Sequence, residues 1–221
     1  MARLALFDLD NTLLDRERAF ERWASIFIEL HGLPEGSWSI IELMDEDGLR
    51  PRSEFFEGLR EALSIDIGVE DLLADYHDQY PRCFSVDRET VDAVRRLRDN
   101  GWKVGVVTNG PPSQMSKLEA TDLLGEFDGI CVSSIVGSRK PERGIFEEAA
   151  RACGVALEGW MVGDSPSADV AGGRAAGLAT IWMSRGREWD HSQLPPPDFA
   201  VATIAEAVDV ILGAPVSSYS R

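Results

Sequence analysis

Histidine, cysteine and positive charge are all scarce in this chain of 221 residues. The three histidines, His31, His77 and His191, stand far apart with no metal-ligand spacing, so they read as surface or helix-packing residues rather than a metal centre. The three cysteines, Cys83, Cys131 and Cys153, are odd in number and make no Cys-x-x-Cys pair, which excludes a disulfide framework and a redox or zinc motif. Such usage fits a reducing cytoplasm, where a thiol behaves as a small apolar residue. Lysine and arginine total 22 against 38 acidic residues, a formal net charge of −16. That balance repels a phosphate backbone over most of the surface and argues against non-specific nucleic-acid binding. It leaves room for a small phosphorylated molecule, because one cation and one lysine can invert a local field. No apolar run approaches the ~20 residues of a membrane span. The opening MARLALFDLD turns acidic too soon for a secretory leader, so the expectation is a soluble, cytoplasmic protein without a membrane partner. P-loop and G-x-S-x-G motifs are missing too. Gly172, Gly173 and Gly177 do not form a G-x-G-x-x-G fingerprint and are better explained by close helix packing.

What is present has the composition of a globular protein, 44% hydrophobic and 27% charged, with enough length for one buried core and a modest second unit. Leu4 to Phe7 is a continuous apolar run ending in Asp8, the pattern of a strand buried on both faces of a parallel sheet. Trp102 to Val107 is of the same kind, and Gly129 to Val132, Trp160 to Val162, Ala179 to Met183 and Phe199 to Val201 add four more candidates. Helical stretches fall between them: Thr90 to Asn100 with Gly101 as its C-terminal cap, Ser113 to Leu124, Gly144 to Ala152, Ala168 to Ala176 and Ile204 to Leu212. This alternation predicts an α/β fold, a Rossmann-like parallel sheet with helices on both faces. From Arg16 to Val86 the rhythm breaks. Four helical candidates (Glu17 to Leu30, Trp38 to Glu46, Ser53 to Leu63, Val69 to Tyr80) are punctuated by Gly32, Pro34, Gly48, Pro51, Gly68 and Pro81. The expected organisation is an α/β core of residues 1–15 and 87–221 with an inserted helical cap of residues 16–86. Leu194 to Pro197 reads as a stiff loop and Ser217 to Arg221 as a frayed tail. Trp23 and Trp38 read as core residues, and Arg16, Arg50 and Arg52 as solvated arginines by default, or else as partners of an anionic group on the substrate.

Four polar clusters matter, and three of them directly follow an apolar run, the third cluster lying a few residues beyond Gly129 to Val132. DLDNT (Asp8 to Thr12) sets two carboxylates one residue apart at a strand end; taken singly it reads equally well as an exposed turn, but a buried strand delivering two carboxylates is costly without a cation. TNG (Thr108 to Gly110) supplies donors for a phosphate, or else an ordinary strand-to-helix turn. Lys140-Pro141 is a lysine whose proline disfavours helix, or else a surface lysine. GDSPSAD (Gly163 to Asp169) brings Asp164 and Asp169 after another apolar run, with helix capping as the plainer reading for Asp164. In open α/β sheets ligands bind outside the carboxyl ends of the strands, where all four would converge.

In this order and placement the clusters resemble the four motifs of the haloacid dehalogenase-like hydrolase superfamily. Within it the text is similar to the helical-cap phosphatases, with nucleotidase and sugar-phosphate phosphatase members nearest in style. The resemblance implies a phosphatase for a small phosphorylated metabolite, with Asp8 as nucleophile and Asp10 as general acid and base. It implies that Thr108 and the Asn109 backbone hold the phosphoryl oxygens while Lys140 neutralises charge. Mg2+ would lie between the Asp8 carboxylate, the Asp10 carbonyl and Asp164, with Asp169 orienting a bound water or Lys140. A dehalogenase on the same fold would have no need of Asp10, because halide leaves without a proton. A phosphomutase, or a binding protein that kept the fold, stays open as an alternative, the latter disfavoured by the intact set Asp8, Asp10, Thr108, Lys140 and Asp164.

Overall fold

The computed structural model describes residues 3–190 and 194–213, so His191 and the Ser217–Arg221 tail lie outside the described residues. The chain divides into two compact units, one of Met1–Asp15 with Val86–Arg221 and one of Arg16–Ser85, with Val86 on the α/β side of the division. None of the described helices is long and apolar enough to cross a membrane.

The first unit holds six strands: β1 (Leu4–Phe7), β2 (Lys103–Thr108), β3 (Gly129–Val132), β4 (Gly159–Gly163), β5 (Ala179–Met183) and β6 (Phe199–Val201). All pair in parallel, in the order β3-β2-β1-β4-β5-β6. The continuous apolar runs become strands because both faces of the sheet are covered, and every residue of β1 is fully buried. Leu4 and Leu6 point to one face, into a cluster with Val107, Cys131, Met161 and the helix residues Ile145, Phe146, Ala149 and Cys153. Side chains alternate along a strand, so Ala5 and Phe7 serve the opposite face.

The helices there are named with their bounds. The strongly amphipathic α5 (Arg88–Asp99) buries Ala93, Val94 and Leu97 and ends before Gly101, whose φ of +79° is the left-handed cap expected of it. Helix α6 (Ser113–Ala120) stops short of Leu124, because Asp122 adopts a positive φ and Leu124–Glu126 forms a separate 3-10 turn. The single turn α7 (Ser133–Val136) and α8 (Arg143–Ala152) follow. The next segment starts at Pro166, two residues before the expected Ala168. It opens as a π-helical turn, Pro166–Ala171, capped by Ser165 Oγ, and runs into α9 (Gly172–Ala175). Helix α10 (Ile204–Leu212) begins on a capping box made by Thr203 and Glu206. Helices α5 and α10 pack together on one face, while α8 packs on β2 and β3 and touches α9 on the other.

The second unit contains α1 (Arg16–Leu30), α2 (Ser37–Asp45), α3 (Arg52–Leu63), α4 (Val69–Gln79) and a 3-10 turn, Tyr80–Cys83. Helix α1 buries Ala19, Phe20, Trp23, Ala24 and Phe27, a stripe at helical spacing. Trp23 is the centre of an aromatic core, with ring centroids 5.1 Å from Phe27, 5.9 Å from Phe55 and Phe56, and 5.0 Å from Tyr76. Trp38 lies at its margin, 6.2 Å from Phe20, and the His31 ring lies tilted against Phe27, 4.4 Å away. Two arginines depart from the expectation of solvation. Asp45 is buried, and both Arg16 and Arg52 close on it, Arg52 at 2.7 Å, because a carboxylate out of water needs a cationic partner. Arg50 remains at the margin, 4.0 Å from Glu46.

Candidate active site

Three neighbouring strands of the first unit, β2, β1 and β4, each end in a polar cluster at the carboxyl edge of the sheet. The residue after β1 is Asp8. It is almost fully buried, and its Oδ1 accepts a 2.5 Å hydrogen bond from Lys140 Nζ. The same ammonium lies 2.7 Å from Asp169 Oδ1, so the lysine read from sequence as either surface or site is 3% exposed between two carboxylates. Asp164 joins them: one carboxylate oxygen each from Asp8, Asp164 and Asp169 lie within 4.8 Å of one another.

Local structure explains how these groups are held. Asn109, just past β2, clips the lysine's backbone from both sides, its Nδ2 donating to the Lys140 carbonyl at 2.9 Å and its Oδ1 accepting from the Lys140 amide at 2.8 Å. Asp169 sits inside the π-helical turn, where its Oδ2 accepts from the Ser165 amide at 2.9 Å. The carboxyl of Asp169 fills the space over Gly163, where an added Cβ would lie 2.3 Å from it. Ser165, not Asp164, caps the turn, by accepting from the Ala168 amide. That leaves the Asp164 carboxylate facing Arg187, 3.2 Å away, while its carbonyl accepts from Trp182 Nε1 and from Arg187.

The electrostatics follow from crowding. Burial pushes the Asp8 carboxyl up to about 7 against the pull of Lys140, and Asp169 and Asp10 add to the rise. Burial also lifts Asp164 to about 6, with Asp8 adding and Arg187 opposing. Asp169 is likewise raised by burial, against Lys140. Burial works against the charge on Lys140, but Asp169 and Asp8 outweigh it and hold the amine above the ordinary lysine value. Two of the three carboxylates thus share one buried ammonium while the third faces Arg187, and carboxylates outnumber the cations that meet them.

A second network lies beside the first. Asp10 is held by Lys117 Nζ, at 2.7 Å from Oδ1 and 2.6 Å from Oδ2, and by Gln114 Nε2 at 3.0 Å. The same Gln114 nitrogen donates to Thr108 Oγ1 at 2.8 Å, joining the DLDNT and TNG clusters through one amide. A carboxylate only accepts, so this amide presents its NH2 group to Asp10. Gln114, Lys117, Ser165 and Arg187 were not singled out from the sequence. A signal existed for the first two, since Gln114, Lys117 and Leu118 occupy one helical stripe and all three are buried, which puts two polar side chains on the inner face of α6. Arg187 carries no such mark; it reaches Asp164 by folding back after β5.

The strand order reverses at β1, between β2 and β4, and the acidic cluster lies at the carboxyl ends of these strands, the switch point at which open parallel α/β sheets bind their ligands. The model of the haloacid dehalogenase-like hydrolases matches residues 2–177, and the chain belongs to that family. Among curated relatives, the glyceraldehyde 3-phosphate phosphatase of Pyrococcus abyssi is 31% identical over 85% of this chain and 83% of its own. The phosphoserine phosphatase of Thermus thermophilus is 30% identical over 87% of this chain and 79% of its own. The crystal structure of a phosphatase of the family from Thermococcus onnurineus superposes with a TM-score of 0.67 at 29% identity, covering 98% of this chain and all of that one.

Proposed function

We propose that this chain is a Mg2+-dependent phosphatase that hydrolyses a small phosphate monoester, a mononucleotide or sugar phosphate, through an aspartyl-phosphate on Asp8. The observation that carries the reading is the buried Asp8, presented at the end of the central strand and gripped by Lys140 within a cluster of three acids. The relatives named as phosphatases of small phosphorylated metabolites support the substrate class.

The acidic cluster suits a hard divalent cation: its donors are carboxylate oxygens, and burial already drives Asp8 and Asp164 towards protonation for want of positive charge. Asp8, Asp164 and the Asp10 carbonyl would hold Mg2+, with Asp169, engaged by Lys140 and the Ser165 amide, steadying the lysine. When bound, the ion supplies charge neutralisation at the phosphoryl oxygens.

The chain's own groups perform the rest. The Asp8 carboxylate attacks phosphorus, and the bond from phosphorus to the ester oxygen breaks as Asp10, protonated for this step, delivers its proton to that oxygen and becomes the carboxylate that Lys117 and Gln114 grip. Asp10 then takes a proton from water, whose oxygen attacks phosphorus and releases Asp8 and inorganic phosphate. Lys140 offsets the negative charge of both nucleophile and phosphoryl group. Thr108 Oγ1 accepts from Gln114, which turns its own hydroxyl proton outward for a phosphoryl oxygen. A dehalogenase would give Asp10 no task.

A panel of phosphorylated metabolites assayed with and without Mg2+, for the wild type and Asp8→Asn, tests this. Turnover should need both the ion and Asp8. Full activity of the variant, or in excess chelator, refutes the mechanism, and a phosphopeptide turned over with a higher kcat/KM than every metabolite refutes the substrate class.

A further inference from the structure

Among the described residues, Lys117 is the buried cation of this site that the four sequence clusters do not contain. It lies on the inner face of α6, 6% exposed, with its ammonium on both oxygens of Asp10. Burying a lysine is costly unless a carboxylate meets it, and Lys117 spends that cost on the residue to which the proposed mechanism gives the proton transfers. Gln114, three residues earlier on the same stripe, adds an N–H to Asp10 Oδ2 and ties that carboxylate to Thr108. Asp10 stands at the start of a tight turn in which the Leu13 and Leu14 amides donate to the Leu9 carbonyl, the Asn11 amide donates to the Leu14 carbonyl and Asn11 has a φ of +59°, so the backbone there is set by short-range bonds. The Asp10 side chain, by contrast, is met on both oxygens by groups from α6. Repulsion from Asp8 gives that contact a purpose, because two neighbouring carboxylates at a crowded strand end drift apart without a counter-charge.

We infer that Lys117 and Gln114 are positioning residues for Asp10: they hold its carboxylate in the place from which it serves the leaving oxygen and the attacking water, and they couple that place to the Thr108 phosphate-binding position. This rests on Asp10 being the general acid and base. Neither residue touches the reacting atoms in this scheme. Their effect passes through Asp10, and so it has a signature that a merely structural lysine lacks. Misplacing a catalytic group by about 1 Å costs on the order of 100-fold in rate. The loss should fall on substrates whose leaving oxygen needs a proton.

The experiment compares kcat/KM for glycerol 3-phosphate, an alkyl ester, and 4-nitrophenyl phosphate, whose leaving group hardly needs protonation. It uses the full chain with Mg2+, as wild type, Lys117→Met, Lys117→Arg, Gln114→Met, Asp10→Asn and the double variant Asp10→Asn/Lys117→Met. Lys117→Met should lower the alkyl ester's value by roughly 10- to 100-fold and the nitrophenyl ester's by less than about 3-fold. Lys117→Arg should restore part of the loss, and Lys117→Met should add less than about 2-fold in the Asp10→Asn background, because residues acting as one unit are not additive. Gln114→Met removes a neutral partner and carries the same leaving-group signature if Lys117→Met fails to fold by circular dichroism. Equal losses for both esters, or losses that multiply in the double variant, overturn the positioning role while Asp10→Asn still shows its own leaving-group dependence. If Asp10→Asn itself loses equally on both esters, the acid–base role of Asp10 falls, and this inference falls with it.

Discussion

Replacing Asp8 by asparagine should abolish turnover and yet make the metal-free protein more stable at alkaline pH. In the folded chain Asp8 is buried with Asp164 and Asp169 around one ammonium, and its carboxyl is pushed from 3.8 to about 7. The folded state therefore holds a proton on Asp8 across an interval in which the unfolded chain has released it. Stability contributed by that proton is complete below the unfolded value, falls as pH rises through the interval, and is gone above the folded value. A displacement of about three pH units corresponds to a penalty of roughly 4 kcal/mol above pH 7. Asparagine has no charge to desolvate and escapes the penalty. Its amide oxygen can still accept from Lys140 Nζ, but that bond loses the carboxylate's charge, which costs roughly 1–3 kcal/mol. The net gain is about 1–3 kcal/mol at pH 8, and about 2–4 °C in Tm per kcal/mol for a chain of this size. Differential scanning calorimetry in chelator at pH 5 and pH 8 measures it. The variant should exceed wild type at pH 8, with a smaller margin or a deficit at pH 5. Saturating Mg2+ should then raise wild type more than the variant, since the ion stabilises the state that binds it. A variant less stable than wild type at pH 8 in chelator, or a margin that does not grow with pH, refutes the account of Asp8 as an over-crowded carboxylate.

Gly163→Ala would place a Cβ 2.3 Å from the Asp169 carboxyl, so Asp169 must move off Lys140; steady-state kinetics should show a kcat loss of about 100-fold, with a stability cost of roughly 1–3 kcal/mol by urea denaturation. Asn109→Ala removes both bonds that clip the Lys140 backbone; kcat should fall by on the order of 10-fold or more with a smaller change in Tm, and an unchanged kcat would show that Lys140 needs no such brace. In the helical unit, Asp45→Asn strips the carboxylate that Arg16 and Arg52 share and should destabilise by roughly 2–4 kcal/mol, read from the denaturant midpoint.

The strands were legible because the sheet is covered on both faces: LALF is a continuous apolar run, and KVGVVT and ATIWM are mostly apolar and almost wholly buried, without the alternation of a half-exposed strand. Asp8, Thr108 and Asp164 were legible for a related reason, since each stands at or just after such a run and a parallel sheet delivers its strand ends to one edge, whereas Lys140, beyond α7, was open to a surface reading. Helix ends were less so. The stop at Ala120 and the π-helical start at Pro166 depend on one left-handed residue, Asp122, and one cap, Ser165, rather than on hydrophobic periodicity. Partnerships across sequence were decided by tertiary structure alone. Nothing local in α6 says that Lys117 meets Asp10, 107 residues earlier, or that Asn109 grips the backbone of Lys140, 31 residues later. Arg16 and Arg52 looked like solvated arginines until the fold of α1, α2 and α3 buried Asp45 between them. The difference is physical: burial patterns repeat with the period of a helix or strand and leave their trace in neighbouring residues, whereas an ion pair is set by desolvation at a point where distant segments meet.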